Sequence, residues 1–246
     1  MSAHDLVTSW ERQQEVYIPQ RETRFELMLD VIGHRVTGDR LRVLDLACGP
    51  GSATERVLRR FPHAEVVAID LDPLLLELAR LRSTHPVTWL QGDLAGPGWV
   101  EQLPVAEFDA VVSTTALHWL DGGRLADLYR RVRPLVAPGG VFLNGDYLPD
   151  SRPSGELAAL VGAIGADRER AATADGALDW DGWWDAVRAT PELAAHVAAH
   201  DEIFADRPRH DAPSRALHLE ALREAGFAEV ELIWQDLTEG LVCALA

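Results

Sequence analysis

The sequence predicts an α/β protein: a doubly wound, mostly parallel seven-stranded sheet with a C-terminal antiparallel hairpin, N-terminal lid helices and an inserted helical cap. Three observations carry this. Between residues 41 and 144, short apolar runs alternate with helical patterns, which implies right-handed crossovers and a parallel sheet. Residues 148–211 break that rhythm and are rich in Ala, Asp, Arg, Gly and Trp. The last two apolar segments follow each other with no helix between them, so they can only pair antiparallel. A chain of 246 residues, 47% hydrophobic, is long enough to bury a core of this size.

Taken in order, residues 4–37 read as two helices separated by Pro19. Leu6, Trp10 and Tyr17 share a face of the first; Phe25, Met28, Leu29 and Ile32 follow the helical period in the second. Strands are expected at 41–46, 65–69, 87–90, 108–113 and 141–144, with helices at 52–61, 73–82 and 123–132. Helices at 154–170, 180–188 and 191–200 fill the insertion. A helix over 213–225 ends at Gly226, a suitable residue just past a helix terminus. Strands at 228–236 and 240–245 close the chain, with Glu239-Gly240 as the expected turn. The division is lid helices 1–40, a Rossmann-like nucleotide-binding domain built from 41–147 and 212–246, and the cap 148–211.

Composition narrows the chemistry. The formal charge is -16, so phosphate backbones and anionic lipid are repelled, and neither nucleic acid nor a membrane is an expected partner. All 23 basic residues are Arg. Without Lys there is no Schiff-base chemistry and no Walker A loop. Two distant cysteines, Cys48 and Cys243, make neither a disulfide framework nor a zinc motif. The first residues lack a secretory signal, and no apolar run is long enough to cross a membrane, so a cytoplasmic monomer or homodimer is expected.

The strongest motif is Val43-Leu44-Asp45-Leu46-Ala47-Cys48-Gly49-Pro50-Gly51-Ser52. A buried strand ends in a glycine-rich turn that opens a helix, at the sheet edge where doubly wound folds bind ligands. Ser52 and Glu55 have capping-box spacing, and a side chain at Gly51 is expected to fill the ligand's path. Asp70 ends the second strand, placed to accept the hydroxyls of an adenosine ribose rather than merely cap the next helix, a task that falls to Asp72 ahead of Pro73. Leu71 is placed to pack on adenine. The dinucleotide fingerprint wants Gly or Ala where Thr54 stands, and Asp45 faces a pyrophosphate unfavourably but suits a cationic ligand. S-adenosylmethionine, with a sulfonium, an ammonium and no phosphate, is such a ligand.

These features, with Gln91-Gly92-Asp93-Leu94, Phe108-Asp109-Ala110-Val111-Val112-Ser113, the turn Ala137-Pro138-Gly139-Gly140 and the terminal hairpin, resemble a class I S-adenosylmethionine-dependent methyltransferase of the small-molecule branch. The resemblance implies that Asp93 contacts the adenine amino group with Leu94 alongside. It implies that the turn carrying Ala47, Gly49 and Gly51 passes under the methionine portion and that Ser113 approaches from the other side. Tyr17 and Arg24 of the lid helices become candidates for the methionine end, Arg24 by pairing its carboxylate; the alternative is an ordinary surface arginine.

On the acceptor side, His118 and Trp119 follow the fourth strand. His118 is the candidate base, with a structural imidazole as the alternative. Trp183 and Trp184 share a helix face with Trp180; they either wall an acceptor pocket or pack the cap onto the domain. Trp10, Trp119 and Tyr147 complete the substrate-binding candidates. His196, His200 and His210 lack a third ligand at motif spacing, so no metal is expected. The function expected is methyl transfer from S-adenosylmethionine to O, N or C of a small molecule, a secondary metabolite or small carboxylic acid. The rivals are a non-methylating binder or cyclase on the same fold and, against Thr54 and the hairpin, an NAD-dependent oxidoreductase.

Overall fold

The structure, a computed structural model, describes residues 2–18, 20–36, 40–149, 155–173, 178–208 and 210–246. Pro19 and parts of the cap sequence lie outside these residues. Two helices lead, α1 (Ala3–Tyr17) and α2 (Arg21–Arg35). The alternating core follows as β1 (Arg42–Leu46), α3 (Ser52–Arg60), β2 (Glu65–Asp70), α4 (Pro73–Arg82), β3 (Val87–Gln91), β4 (Phe108–Thr114), α5 (Gly122–Val132) and β5 (Val136–Tyr147). The cap contributes α6 (Glu156–Thr173), α7 (Trp180–Arg188) and α8 (Ala194–Phe204), before α9 (Arg215–Glu224), β6 (Glu229–Asp236) and β7 (Glu239–Leu245).

The sheet has seven strands in the order β3-β2-β1-β4-β5-β7-β6. Strands β1 to β5 are parallel, with Leu46 level with Ile69 on one side and Ser113 on the other. β7 enters antiparallel to β5, pairing Val242 with Asn144. The order reverses between β1 and β4, so the crevice for a ligand opens at the carboxyl ends of those two strands.

Both faces of the sheet are apolar, as a doubly wound fold demands. Leu44 and Leu46 point into a core shared with α5 and α9, including Tyr129, Phe142 and Leu222. Val43, the residue before Leu44, points into the opposite core with Phe25, Met28 and Ile32 of α2 and Val57 of α3. A third cluster joins α1, α4 and the cap: Leu6 and Val7 pack with Leu74, Leu78, Trp183, Trp184 and Val187.

Helix α1 crosses the helices of one face, and Glu11 fastens it. One Glu11 oxygen accepts from Ser52 Oγ at 2.6 Å and Arg82 at 2.7 Å; the other accepts from Arg21 at 2.5 Å and Arg56 at 3.1 Å. Those partners hold the carboxyl well below its usual range despite burial. Helix α1 is thereby tied to the first residue after the glycine turn.

Three local expectations change. The terminal hairpin turns at Leu237-Thr238, with Leu237 at φ 52°, and Glu239 and Gly240 already lie in β7. Gly240 is needed for packing instead, since a Cβ there would stand 2.8 Å from Leu232 and 2.9 Å from Leu148. The capping box at Ser52 does not form: Gly51 is the N-cap, and Asp45 reaches across from β1 to accept from the Thr54 backbone N–H at 3.0 Å. β5 starts at Val136, ahead of the predicted Val141, with a register shift opposite Phe108–Ala110. Among the described residues no helix is long and apolar enough to cross a membrane.

Candidate active site

The glycine turn after β1 follows the backbone the sequence demands. Ala47, Gly49 and Gly51 all have positive φ, at 54°, 54° and 81°. The two glycines serve different ends. A Cβ on Gly49 would meet nothing within 4 Å, so this is where the turn faces open space. A Cβ on Gly51 would stand 3.1 Å from the Trp89 ring and 3.5 Å from Ala79 Cβ. Gly51 is therefore favoured by its positive φ and by the packing of α3 against β3 and α4.

Two buried carboxylates lie beside this turn. Asp45 accepts from Thr54 through its backbone N–H and its hydroxyl, at 3.0 and 2.6 Å, and its second oxygen has no described partner. Asp70 accepts from the Gly49 N–H at 2.7 Å and the Asp72 N–H at 2.8 Å. No salt bridge reaches either among the described residues, and burial pushes Asp45 up to about 7 and Asp70 to about 6. An uncompensated pair of buried acids at the ends of adjacent strands fits a ligand with a cationic end and hydroxyl donors, and opposes a pyrophosphate. This matches S-adenosylmethionine and disfavours NAD. Asp72 caps α4 ahead of Pro73 as expected, accepting from the Leu74 N–H at 2.9 Å.

The other donor-side candidates divide. Leu71 is half-buried at the rim, outside the core clusters, and Leu94 is buried in the core behind Asp93. Asp93 is exposed and bonds the Ala95 N–H at 2.9 Å; Arg207 of the cap pairs with it at 3.2 Å. Ser113 is fully buried and donates to the Leu46 carbonyl at 2.9 Å, so its hydroxyl joins β4 to β1 rather than approaching a ligand. Tyr17 is 38% exposed and its hydroxyl accepts from the Trp180 N–H at 3.3 Å, joining α1 to α7. Arg24 is neither a surface residue nor free for a carboxylate. It is fully buried, with one terminal nitrogen on Glu239 at 2.8 Å and the other on Thr115 at 2.7 Å.

At the ends of β4 and β5 lies the group that sequence reasoning half found. His118 sits in a 3₁₀ turn, Leu117–Trp119. Its Nδ1 is 2.6 Å from Asp146 Oδ1, and its backbone N–H donates to Asp146 Oδ2 at 3.1 Å. Asp146 is fully buried near the end of β5 and also accepts from the Tyr147 N–H at 2.9 Å. Burial alone would lower the imidazole's pKa; the Asp146 carboxylate overrides it, so His118 is raised above its ordinary value and Asp146 lowered below its own. With Nδ1 bound to a carboxylate, a neutral ring carries its proton there and its lone pair on Nε2. No described residue takes Nε2. Trp119 and Tyr147 flank the ring, at 5.0 and 6.3 Å between centroids.

Asp146, Glu239 and Thr115 are not among the site residues that the sequence suggests. Asp146 shares a strand face with Phe142 and Asn144, and an acid two places beyond a predicted strand end was the available signal. Glu239 was hidden by its assignment to the turn.

The tryptophan cluster resolves toward packing. Trp183 has no exposed surface and its ring N–H donates to the Leu6 carbonyl at 2.9 Å, so it walls no open pocket. Trp184 packs against Trp183 at 5.1 Å and stacks on His200 at 4.3 Å. Trp10 joins the same group, 4.8 Å from Trp183. The three cap histidines go to different carboxylates: His200 to Asp72 at 2.7 Å, His196 to Glu77 and His210 to Asp121, both at 3.9 Å.

Comparison with known proteins agrees with this geometry. A methyltransferase-domain family matches residues 43–140. A trans-aconitate 2-methyltransferase of Acidovorax sp. is 30% identical over 186 residues, covering 75% of this chain and 67% of that protein. An uncharacterised methyltransferase of Mycobacterium bovis is 38% identical over 114 residues, 46% of this chain; the chain spans about half the length of that relative, 54%. Among solved structures, human N-acetylserotonin methyltransferase in complex with S-adenosylmethionine shares the fold. Its TM-score is 0.55 at 16% identity, over 100% of this chain and 60% of that one.

Proposed function

Because the chain belongs to the class I S-adenosylmethionine-dependent methyltransferases, we propose that it transfers the methyl group of S-adenosylmethionine to a hydroxyl oxygen of a small molecule, with His118 as the base. The observation that carries this is the His118–Asp146 pair at the ends of β4 and β5, with Nε2 unengaged among the described residues.

In this reading the donor lies across the β1–β4 crevice, where it supplies an electrophilic methyl group on a sulfonium. Asp70 accepts from the ribose, Leu71 packs on the adenine, and Asp93 takes the adenine amino group once Arg207 yields. Gly49 lets the backbone approach the methionine portion, and Asp45 attracts its cationic end. The chain's own residues then do three things. The crevice orients the two reactants in line, the lid and cap exclude water, and His118 Nε2 removes the acceptor's proton. Asp146 acts through His118: it fixes the ring's direction and its tautomer. The small-molecule class of acceptor is supported by the trans-aconitate relative, whose name identifies a substrate of that size.

The test is the pH dependence of turnover. Activity requires the neutral imidazole, and Asp146 raises the pKa of His118, so the acidic limb should lie above the ordinary imidazole value of 6.5. Asp146→Asn should move that limb to lower pH and reduce the plateau rate by about 10²-fold or more. A limb that stays in place in the variant assigns the base elsewhere.

A further inference from the structure

The class of acceptor follows from the charges and surfaces around His118, given the reading of His118 as base. Three charged groups act on this imidazole besides its own proton: Asp146, Glu239 and Arg24. Arg24 is already spent. It is fully enclosed, and its terminal nitrogens hold Glu239 at 2.8 Å and Thr115 at 2.7 Å. One cation against two carboxylates leaves a net negative charge when His118 is neutral and none when it is protonated. An acceptor bearing several carboxylates would bring further negative charge into this partly desolvated place, where Arg24 is already held by Glu239 and Thr115. Trans-aconitate, the tricarboxylate named for one relative, is such a compound.

What the site does present is flat and apolar. Trp119 is 60% exposed and Tyr147 38% exposed, the first tilted 37° to the imidazole and the second edge-on at 83°. Two exposed rings on either hand of one imidazole offer the offset and edge contacts that aromatic rings prefer. The base points the same way. A carboxylic acid is already ionised at neutral pH and needs no base to become a nucleophile, whereas a phenol, with a pKa of about 10, does. A buried aspartate that orients an imidazole is redundant for the first and required for the second.

We infer that the acceptor is an uncharged aromatic hydroxyl compound that packs against Trp119 and Tyr147 and is methylated on oxygen. The phenolic proton passes to His118 Nε2 and the oxygen forms the new bond to the methyl carbon. The sulfur keeps the electron pair of the broken S–CH₃ bond and leaves as a neutral thioether.

The experiment uses the whole chain and three readouts. Calorimetry with S-adenosylmethionine comes first. A panel of flat phenols, from catechol to 2-naphthol and flavonols, is then compared with trans-aconitate by tryptophan fluorescence and by mass analysis of O-methyl product. The inference expects members of the phenol panel to bind and be methylated, and trans-aconitate to do neither. Trp119→Ala should raise the phenol Michaelis constant about 3–10-fold with donor affinity unchanged; its exposure makes folding of this variant safe. Glu239→Gln, which removes one of the two carboxylates acting on His118, should improve trans-aconitate binding. Methylation of trans-aconitate by the unaltered protein, or a phenol panel of which no member binds, overturns the inference. Failure to bind S-adenosylmethionine overturns instead the reading on which it rests.

Discussion

Asp45→Asn should make the protein more stable at pH 8 while weakening its hold on S-adenosylmethionine. The carboxyl is buried, has no cationic partner among the described residues, and titrates near 7 rather than 3.8. A group whose pKa is raised on folding adds stability that is complete below its unfolded value and lost as pH rises through its folded one. For Asp45 that window runs from 3.8 to about 7, so above it the ionised carboxylate costs about 4 kcal/mol. The asparagine carries no such cost. Its Oδ1 can still accept from Thr54, but its amide would occupy the place of an oxygen that already lacks a partner, a penalty of about 1–3 kcal/mol. The net gain is about 2 kcal/mol, or about 4–8 °C in Tm for a chain of this length. At pH 5 the wild-type carboxyl is protonated and the gain should vanish. Thermal unfolding at the two pH values checks the sign, and calorimetry with S-adenosylmethionine checks the functional cost. A variant that is less stable at pH 8, or that gains equally at pH 5, refutes the idea that an unpaired charge is held at the end of β1.

Other substitutions separate packing from binding. Trp183→Ala should cost about 3–5 kcal/mol of stability, the scale for deleting a fully buried large aromatic, and leave the acceptor Michaelis constant intact; an unchanged Tm with a raised constant would restore Trp183 to the acceptor site. Gly51→Val should lower Tm, because the new side chain meets Trp89 in a backbone of positive φ. Gly49→Val should instead abolish donor binding with a smaller loss of Tm, since its Cβ points into open space. Calorimetry and thermal melts on this pair distinguish the two roles, and equal behaviour would cancel the distinction.

Periodicity and order made the sheet legible before any coordinates. Alternation along the chain implied β1 to β5 parallel, and the missing helix between β6 and β7 implied the antiparallel end. The positions of Asp45, Gly49 and Asp70 were legible for the same reason: they are placed by strand ends, and a strand end is a local feature. The partners of His118 and Arg24 were not. The partner of His118 is Asp146, on another strand 28 residues away, and the partner of Arg24 is Glu239, 215 residues away. Neither pairing leaves a periodic trace. Arg24 and Ser113 were misread because their residue types suggest contact with ligand, while tertiary packing spends them on Glu239, Thr115 and the Leu46 carbonyl. Helix capping at Ser52 failed likewise: the cap came from Asp45 in a neighbouring strand, and side-chain spacing reports only local partners.

Methyl transfer to oxygen with His118 as base is put to the test by a single-turnover experiment with a trideuteromethyl-labelled S-adenosylmethionine. The protein is saturated with labelled donor, mixed with a phenol, and quenched over time for mass analysis of the product. The label is expected on the acceptor oxygen, and His118→Ala is expected to transfer at a rate lower by about 10²-fold or more with the donor dissociation constant unchanged. Label on carbon or nitrogen, or a variant that transfers at the wild-type rate, would contradict it.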